Sequence, residues 1–181
     1  SQEAPIPILN YKSSENKLGG AANVAANLSA NEIDVTLATI LGDDDESKEM
    51  LSLLEKEKIK TKIVKIKNKP TIKKVRYVSN SHQILRIDKE EIFDYDDSLE
   101  LFNKIKEIFK NFDFIILSDY DKGSLKSFNS RKILEINPKA KIFVDPKIAN
   151  KKLTEGAYLV KPNLKEFENM IDQSLINQEI E

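Results

Sequence analysis

The chain has no cysteine in 181 residues. That excludes disulfides and thiolate metal sites, and a reducing cytoplasm is the expected setting. Histidine occurs once, as His82 in a turn-like NSH stretch. A surface position is expected for it, because neither a catalytic triad nor a zinc site can be assembled around a single histidine. No apolar run approaches the ~18 residues of a membrane span. The net charge of −1 supplies neither a basic field for nucleic acid nor an acidic tail. Nucleic acid and membrane are therefore not expected partners. Only three of the 29 basic residues are arginine (Arg76, Arg86 and Arg131), and glycine occurs five times. The opening SQEAPIPIL lacks the basic start and continuous apolar core of a signal peptide. Because it opens on Ser1, the chain is expected to begin inside a longer gene product or after processing.

What is present is enough for a core. Apolar residues make up 40% of the chain, and a domain of this length buries about 70% of its extended surface. One domain with a small appendage is expected. Ile6 to Tyr11 has strand character, which Pro5 and Pro7 push toward a sheet edge. The spacing predicts a helix over 19–30, a buried strand IDVTLATI (33–40), a turn at GDDDES, and a helix over 45–57 with Met50, Leu51 and Leu54 inward. The pattern then changes. KIVKI (62–66), TIKKVRYVS (71–79) and QILRID (83–88) alternate like an antiparallel meander with one wet face. The α/β rhythm returns with a helix over 97–110 that buries Leu101, Phe102, Ile105, Ile108 and Phe109, its lysines forming a solvated face. After it come strand FIILSD (114–119), a short helix near 126–136, strands KIFVDP (141–146) and AYLVKP (157–162), and a helix from NLKEFENMI. Strands without alternation, separated by helices, indicate a parallel sheet covered on both faces. The fold class is α/β: a doubly wound, mostly parallel sheet with a small β excursion.

In such sheets ligands collect at the carboxyl ends of the strands. Asp119, Lys122, Lys147, Asn163 and Glu166 would then share one rim. Each has a plainer reading. Asn163 and Glu166 are spaced as a capping box, GDDD (42–45) as a turn before a helix, and Asp119 and Lys122 as turn residues. The stretch KLGGAANVAANL (17–28) is neither G-x-G-x-x-G nor a phosphate loop. Glycine is needed at 21 and 24, or at 22 and 25, where the chain has Ala21, Val24, Ala22 and Ala25. Its glycines open a helix, so free N–H groups and small side chains lie together, with Asn23 offering a donor and an acceptor to a polyol. Close helix-to-sheet packing is the alternative.

In combination, KLGGAANVAANL, PTIKKVRYV, QILRID, IILSDYDKGSL, VDPK and KPNLKEFE, in that order, resemble the ribokinase-like (phosphofructokinase B type) sugar kinases. SDYxKG, LRID and VDPK narrow the likeness to the heptose 7-phosphate kinase branch, and it spans almost the whole chain. The resemblance implies a sandwich with a β lid near 6–11 and 62–88, which covers the sugar and joins a homodimer, within a partial sugar kinase domain over 1–181. It implies ATP-dependent phosphorylation of D-glycero-D-manno-heptose 7-phosphate at the anomeric hydroxyl. The product would be heptose 1,7-bisphosphate, in the ADP-heptose branch of lipopolysaccharide synthesis, often with a fused adenylyltransferase. It places Gly19, Gly20 and Asn23 on the sugar, with Asp119, and with Arg86 toward an anionic group. It places Lys147, Asn163 and Glu166 toward ATP, with Glu166 reaching Mg²⁺ through water.

Two departures accompany the likeness. The family's early Gly-Asp strand lies upstream of Ser1. Its later G-A-G-D segment, which carries the catalytic base and an anion hole, has no counterpart, since no glycine follows Gly156. The C-terminal nucleotide-binding part is accordingly expected to be missing and no catalytic residue is assigned. Loss of a base costs about 10²–10⁴-fold and loss of an anion hole about as much again, so the fragment alone is expected to be inactive. Asp121 also stands where a small residue is expected. The alternatives are a kinase of another sugar and a non-catalytic sugar-phosphate binding or dimerisation module.

Overall fold

A computed structural model of the chain describes residues 10–147 and 150–178. The first helix, α1 (Ala21–Ala30), leads into strand β1 (Thr36–Gly42), helix α2 (Asp45–Lys56) and strand β2 (Lys60–Ile66). A hairpin follows, β3 (Lys73–Ser79) and β4 (His82–Lys89). Helix α3 (Tyr95–Ile105) and a 3₁₀ turn then return the chain to β5 (Phe114–Ser118). The rest is α4 (Ser130–Ile136), β6 (Lys141–Asp145), α5 (Lys151–Thr154), β7 (Leu159–Val160) and α6 (Leu164–Gln178).

Local chemistry sets most of these boundaries. Asp44 caps α2 by accepting from Ser47 N at 3.0 Å, as the GDDD turn predicts. Asp94 and Asp97 form a reciprocal capping box on α3. Asn80 and Ser81 both take positive φ (49° and 66°), which makes the two-residue turn that suits the twist of a hairpin. His82 sits beside that turn on the surface, its Nδ1 2.8 Å from the Asn80 carbonyl.

The strands join in three groups. β1 and β2 pair in parallel, as do β5, β6 and β7, while β3 and β4 pair antiparallel. One apolar core spans both parallel groups: Ile40 and Val64 from the first cluster with Ile115, Leu117, Ile142 and Val144 from the second, together with Leu101 and Ile105 of α3. A smaller core lies on the opposite face of β1, where Ala22 and Ala25 of α1 meet Leu37 and Leu54. β1 is thus sandwiched, as expected of a doubly wound layer. Among the described residues the β5–β7 group is covered on one face, not on both as the sequence predicts, and Phe114, Ile116, Tyr158 and Leu159 are exposed.

Two sequence expectations need correction. KIVKI is not part of the meander. Residues 60–66 run parallel to β1 in full register, so the antiparallel excursion is the β3–β4 hairpin. Of the strand expected over 6–11, residues 6–9 lie outside the described residues, and Asn10 and Tyr11 carry no strand, Tyr11 being 79% exposed.

Candidate functional site

The start of α1 answers why small residues cluster at 19–26. Ala22 and Ala25 are buried, so the alanines serve close packing. The glycines serve a turn and an opening, Gly20 the first and Gly19 the second. Gly20 has φ +54°, a conformation that strains any L side chain, and a Cβ there would lie 3.5 Å from the Tyr120 ring. Nothing lies within 4 Å of the equivalent position on Gly19. Both glycines line a cleft of about 2390 Å³ that also runs past residues 36–40 and 113–120 and along β3. The asparagines four apart have a local role: Asn27 Nδ2 donates to the Asn23 carbonyl at 2.9 Å, and Asn31 Nδ2 to the Asn27 carbonyl at 2.7 Å. Asn23 itself is exposed and does not line the cleft.

Across from Gly20 stands the loop after β5. Asp119 hangs from the end of β6, its N–H donating to the Asp145 carbonyl at 2.9 Å. Its Oδ1 accepts from Asp121 N at 2.9 Å, and no cation pairs with it among the described residues. Burial pushes its carboxyl above the usual range. The Asp121 N–H opposes that rise and the Asp121 charge adds to it. Next to it, Ser118 Oγ is buried without a hydrogen-bond partner. An orphaned hydroxyl beside a perturbed carboxyl in a cleft is what a polyhydroxylated ligand would satisfy. Tyr120 and Ser118 escaped sequence reasoning, because they come to face Gly20 or the cleft only through the tertiary fold.

A second cluster occupies the ends of β6 and β7. Asn163 N donates to Glu166 Oε2 and Glu166 N to Asn163 Oδ1, both at 2.9 Å, so the capping box exists. The backbone N–H of Asn163 holds the Glu166 carboxyl below the usual range. Burial works against this, and Lys147 Nζ, 3.4 Å from Oε1, assists it. Lys161 Nζ lies 3.4 Å from Asp145 Oδ1. Asp119 and this cluster share the carboxyl edge of one sheet, but Lys147, Asn163 and Glu166 do not line the cleft. Arg86 lies on β4 with Nε 2.9 Å from Asp88 Oδ1 and is also outside the cleft lining; Arg76, its cross-strand partner, lines it. Among the described residues no three acidic, histidine or cysteine side chains are grouped to hold a metal.

Residues 5–181 match the pfkB family of carbohydrate kinases. "Bifunctional protein HldE" of Haemophilus influenzae (strain PittEE) is 38% identical over 182 residues, covering 99% of this chain and 38% of the relative. The protein of the same name from Actinobacillus succinogenes is 39% identical over 168 residues, 93% of this chain and 35% of its own length. The chain thus spans little more than a third of these relatives. In three dimensions it is similar to the tetrameric inhibited form of phosphofructokinase-2 from Escherichia coli. The TM-score is 0.69 at 18% identity, over 93% of this chain and 57% of that one. Ribokinase from Giardia lamblia gives 0.64 at 14% identity, over 97% and 63%. At that identity the likeness establishes the ribokinase-like α/β fold. The chain belongs to the pfkB family of carbohydrate kinases.

Proposed function

We propose that this chain is the sugar-binding part of an ATP-dependent kinase that phosphorylates D-glycero-D-manno-heptose 7-phosphate at its anomeric hydroxyl. The observation that carries this reading is the cleft in which Gly19 and Gly20 face the Ser118–Tyr120 loop, beside the β3–β4 hairpin. Its supports are the SDYDKG, LRID and VDPK motifs that narrow the resemblance to the heptose branch, and relatives at 38% identity named as bifunctional proteins. A second enzymatic unit on the same polypeptide agrees with that name.

In this reading Gly19 leaves room for the sugar ring, since nothing lies within 4 Å of its Cβ position, while the Tyr120 ring packs over Gly20 beside it. Asp119 and Ser118 Oγ offer hydrogen bonds to ring hydroxyls. The hairpin acts as a lid that excludes water, and its exposed Val78, Leu85 and Ile87 join a second copy in a homodimer. Asn23 and Arg86 stand further out and would meet the ligand only on closure. ATP phosphates suit the N-terminus of α6, where Lys147 and the capped Asn163–Glu166 pair lie. Mg²⁺ suits Glu166 only through water, because both its carboxylate oxygens already have protein partners. Bound there, Mg²⁺ would neutralise developing phosphoryl charge. Such catalysis works by positioning and charge stabilisation, and a cytoplasmic location follows from the ATP supply it needs.

The test is to incubate the whole protein with the heptose 7-phosphate, ATP and Mg²⁺ and to follow the bisphosphate by phosphorus NMR. Formation of heptose 1,7-bisphosphate supports the assignment. Turnover only with a different acceptor would retain the kinase and change its sugar, and no product with any sugar defeats it.

A further inference from the structure

The hairpin does not simply hang from the layer. Its exit segment, residues 90–94, is fastened to the loop that carries Asp119. Phe93 N donates to the Lys122 carbonyl at 3.0 Å, and Lys126 Nζ donates to the Phe93 carbonyl at 2.8 Å. Gly123, at φ +92°, lies so close that a Cβ would meet the Phe93 carbonyl oxygen at 2.0 Å. One side chain bridges this fastening to the hairpin itself. Glu90 Oε1 accepts from Lys122 Nζ at 2.7 Å and Oε2 from Lys74 Nζ at 3.0 Å, while Lys74 also reaches Asp88, opposite it on β4, at 2.7 Å. Glu90, Lys74 and Lys122 are each about one-third exposed or less.

The two ends of this bridge move different things. Lys74 belongs to β3, whose neighbours Arg76 and Tyr77 border the cleft. Lys122 stands three residues after Asp119 and two after Tyr120, the ring that covers Gly20. A rigid-body swing of the hairpin therefore pulls on the Asp119 loop through the Glu90 carboxylate, the one side chain that joins Lys74 of β3 to Lys122, in addition to the backbone contacts of Phe93. We propose that Glu90 is a positioning residue that couples the hairpin to the Asp119–Lys122 loop, so that lid closure and ordering of the sugar-facing loop are one event. The coupling stands on geometry; its use in sugar binding rests on the function proposed above.

The experiment combines amide hydrogen exchange with kinetics on the whole protein, comparing wild type, Glu90→Gln, Lys122→Met and the double variant. Each single change should speed exchange in both β3–β4 and residues 119–123 by about fivefold, the scale of a partly exposed ion pair. The double variant should be no worse than either single one, because both remove the same link. In the kinase assay Glu90→Gln should raise KM for the sugar about fivefold with kcat and the ATP KM within about twofold, a split that general loss of stability does not produce. Additive effects on exchange, or an effect confined to one of the two segments, would overturn the coupling. If Glu90→Gln fails to fold, Lys122→Met alone must loosen both segments. A wild type that phosphorylates no sugar, with the exchange coupling intact, would overturn the proposed function and leave the mechanical link standing. An unchanged sugar KM in an active enzyme would overturn the link's role in binding.

Discussion

In the parallel layer, Leu54, Val64, Ile142 and Val144 are at most 1% exposed, and helices close over β1 from both sides. In the hairpin, β4 is exposed at every position and Val78, Leu85 and Ile87 are half-exposed or more. The layer is held by removal of apolar surface from water, which is non-directional and hard to reverse in part. The hairpin is held at its base by hydrogen bonds and ion pairs. Thr71 ties the entry leg to Asp44 and Gly42, Lys69 reaches Asp94 and Asp97, Glu46 lies near Lys73 and Lys89, and Glu90 holds Lys122. An element fastened in this way can swing without unfolding the domain beneath it.

The sharpest way to break that contrast is to empty the core. Leu54→Ala should cost about 2–5 kcal/mol, read as a shift in the denaturant midpoint. Next is the hinge. Thr71 is buried, its Oγ1 donates to Asp44 Oδ1 at 2.6 Å and accepts from Gly42 N at 2.9 Å. Thr71→Val removes the acceptor of the Gly42 N–H and one of the donors to Asp44, which keeps Ser47 N and Thr71 N, and should cost about 1–3 kcal/mol, with faster exchange in β3–β4 than in β5–β6. A smaller effect, confined to acid, comes from Asp94, whose pKa is lowered from 3.8 to about 2 by the Lys69 ammonium and the Asp97 N–H. A depressed carboxylate stabilises the fold above its unfolded pKa, and that contribution fades as pH falls from 3.8 toward 2. Melting curves of wild type and Lys69→Met should therefore differ at neutral pH and converge near the acid end. Smallest is Leu85→Ser on the hairpin surface, expected within about 0.5 kcal/mol of wild type in the monomer.

The same contrast explains what could be read from the sequence. β5 and β6 were legible because both read as apolar runs, with Ile115, Leu117, Ile142 and Val144 entering the common core, and α2 because Asp44 announces its cap. The Asn163–Glu166 box and the tight turn at Asn80 and Ser81 are likewise local chemistry. KIVKI misled because β2 sends Val64 into the core and leaves Lys60, Lys62 and Lys65 exposed, so its sequence alternates as a hairpin strand would. Its parallel partner lies a helix away, and no local signal names it. The cleft was half legible. Glycines before a helix point to a close approach, but that Tyr120 supplies it, and that Glu90 ties the hairpin to the loop bearing Asp119, depend on contacts between distant segments. Asn23 and Arg86 were marked by motif and lie outside the cleft lining.

Amide exchange of the whole protein with and without D-glycero-D-manno-heptose 7-phosphate tests the division between rigid layer and closing hairpin most directly. Expected are rapid exchange in β3–β4 without the sugar, strong protection there and in residues 119–123 when it binds, and no change in β5 and β6. A hairpin already as protected as β6 in the free protein, or one that saturating sugar phosphate leaves unaltered, would contradict it.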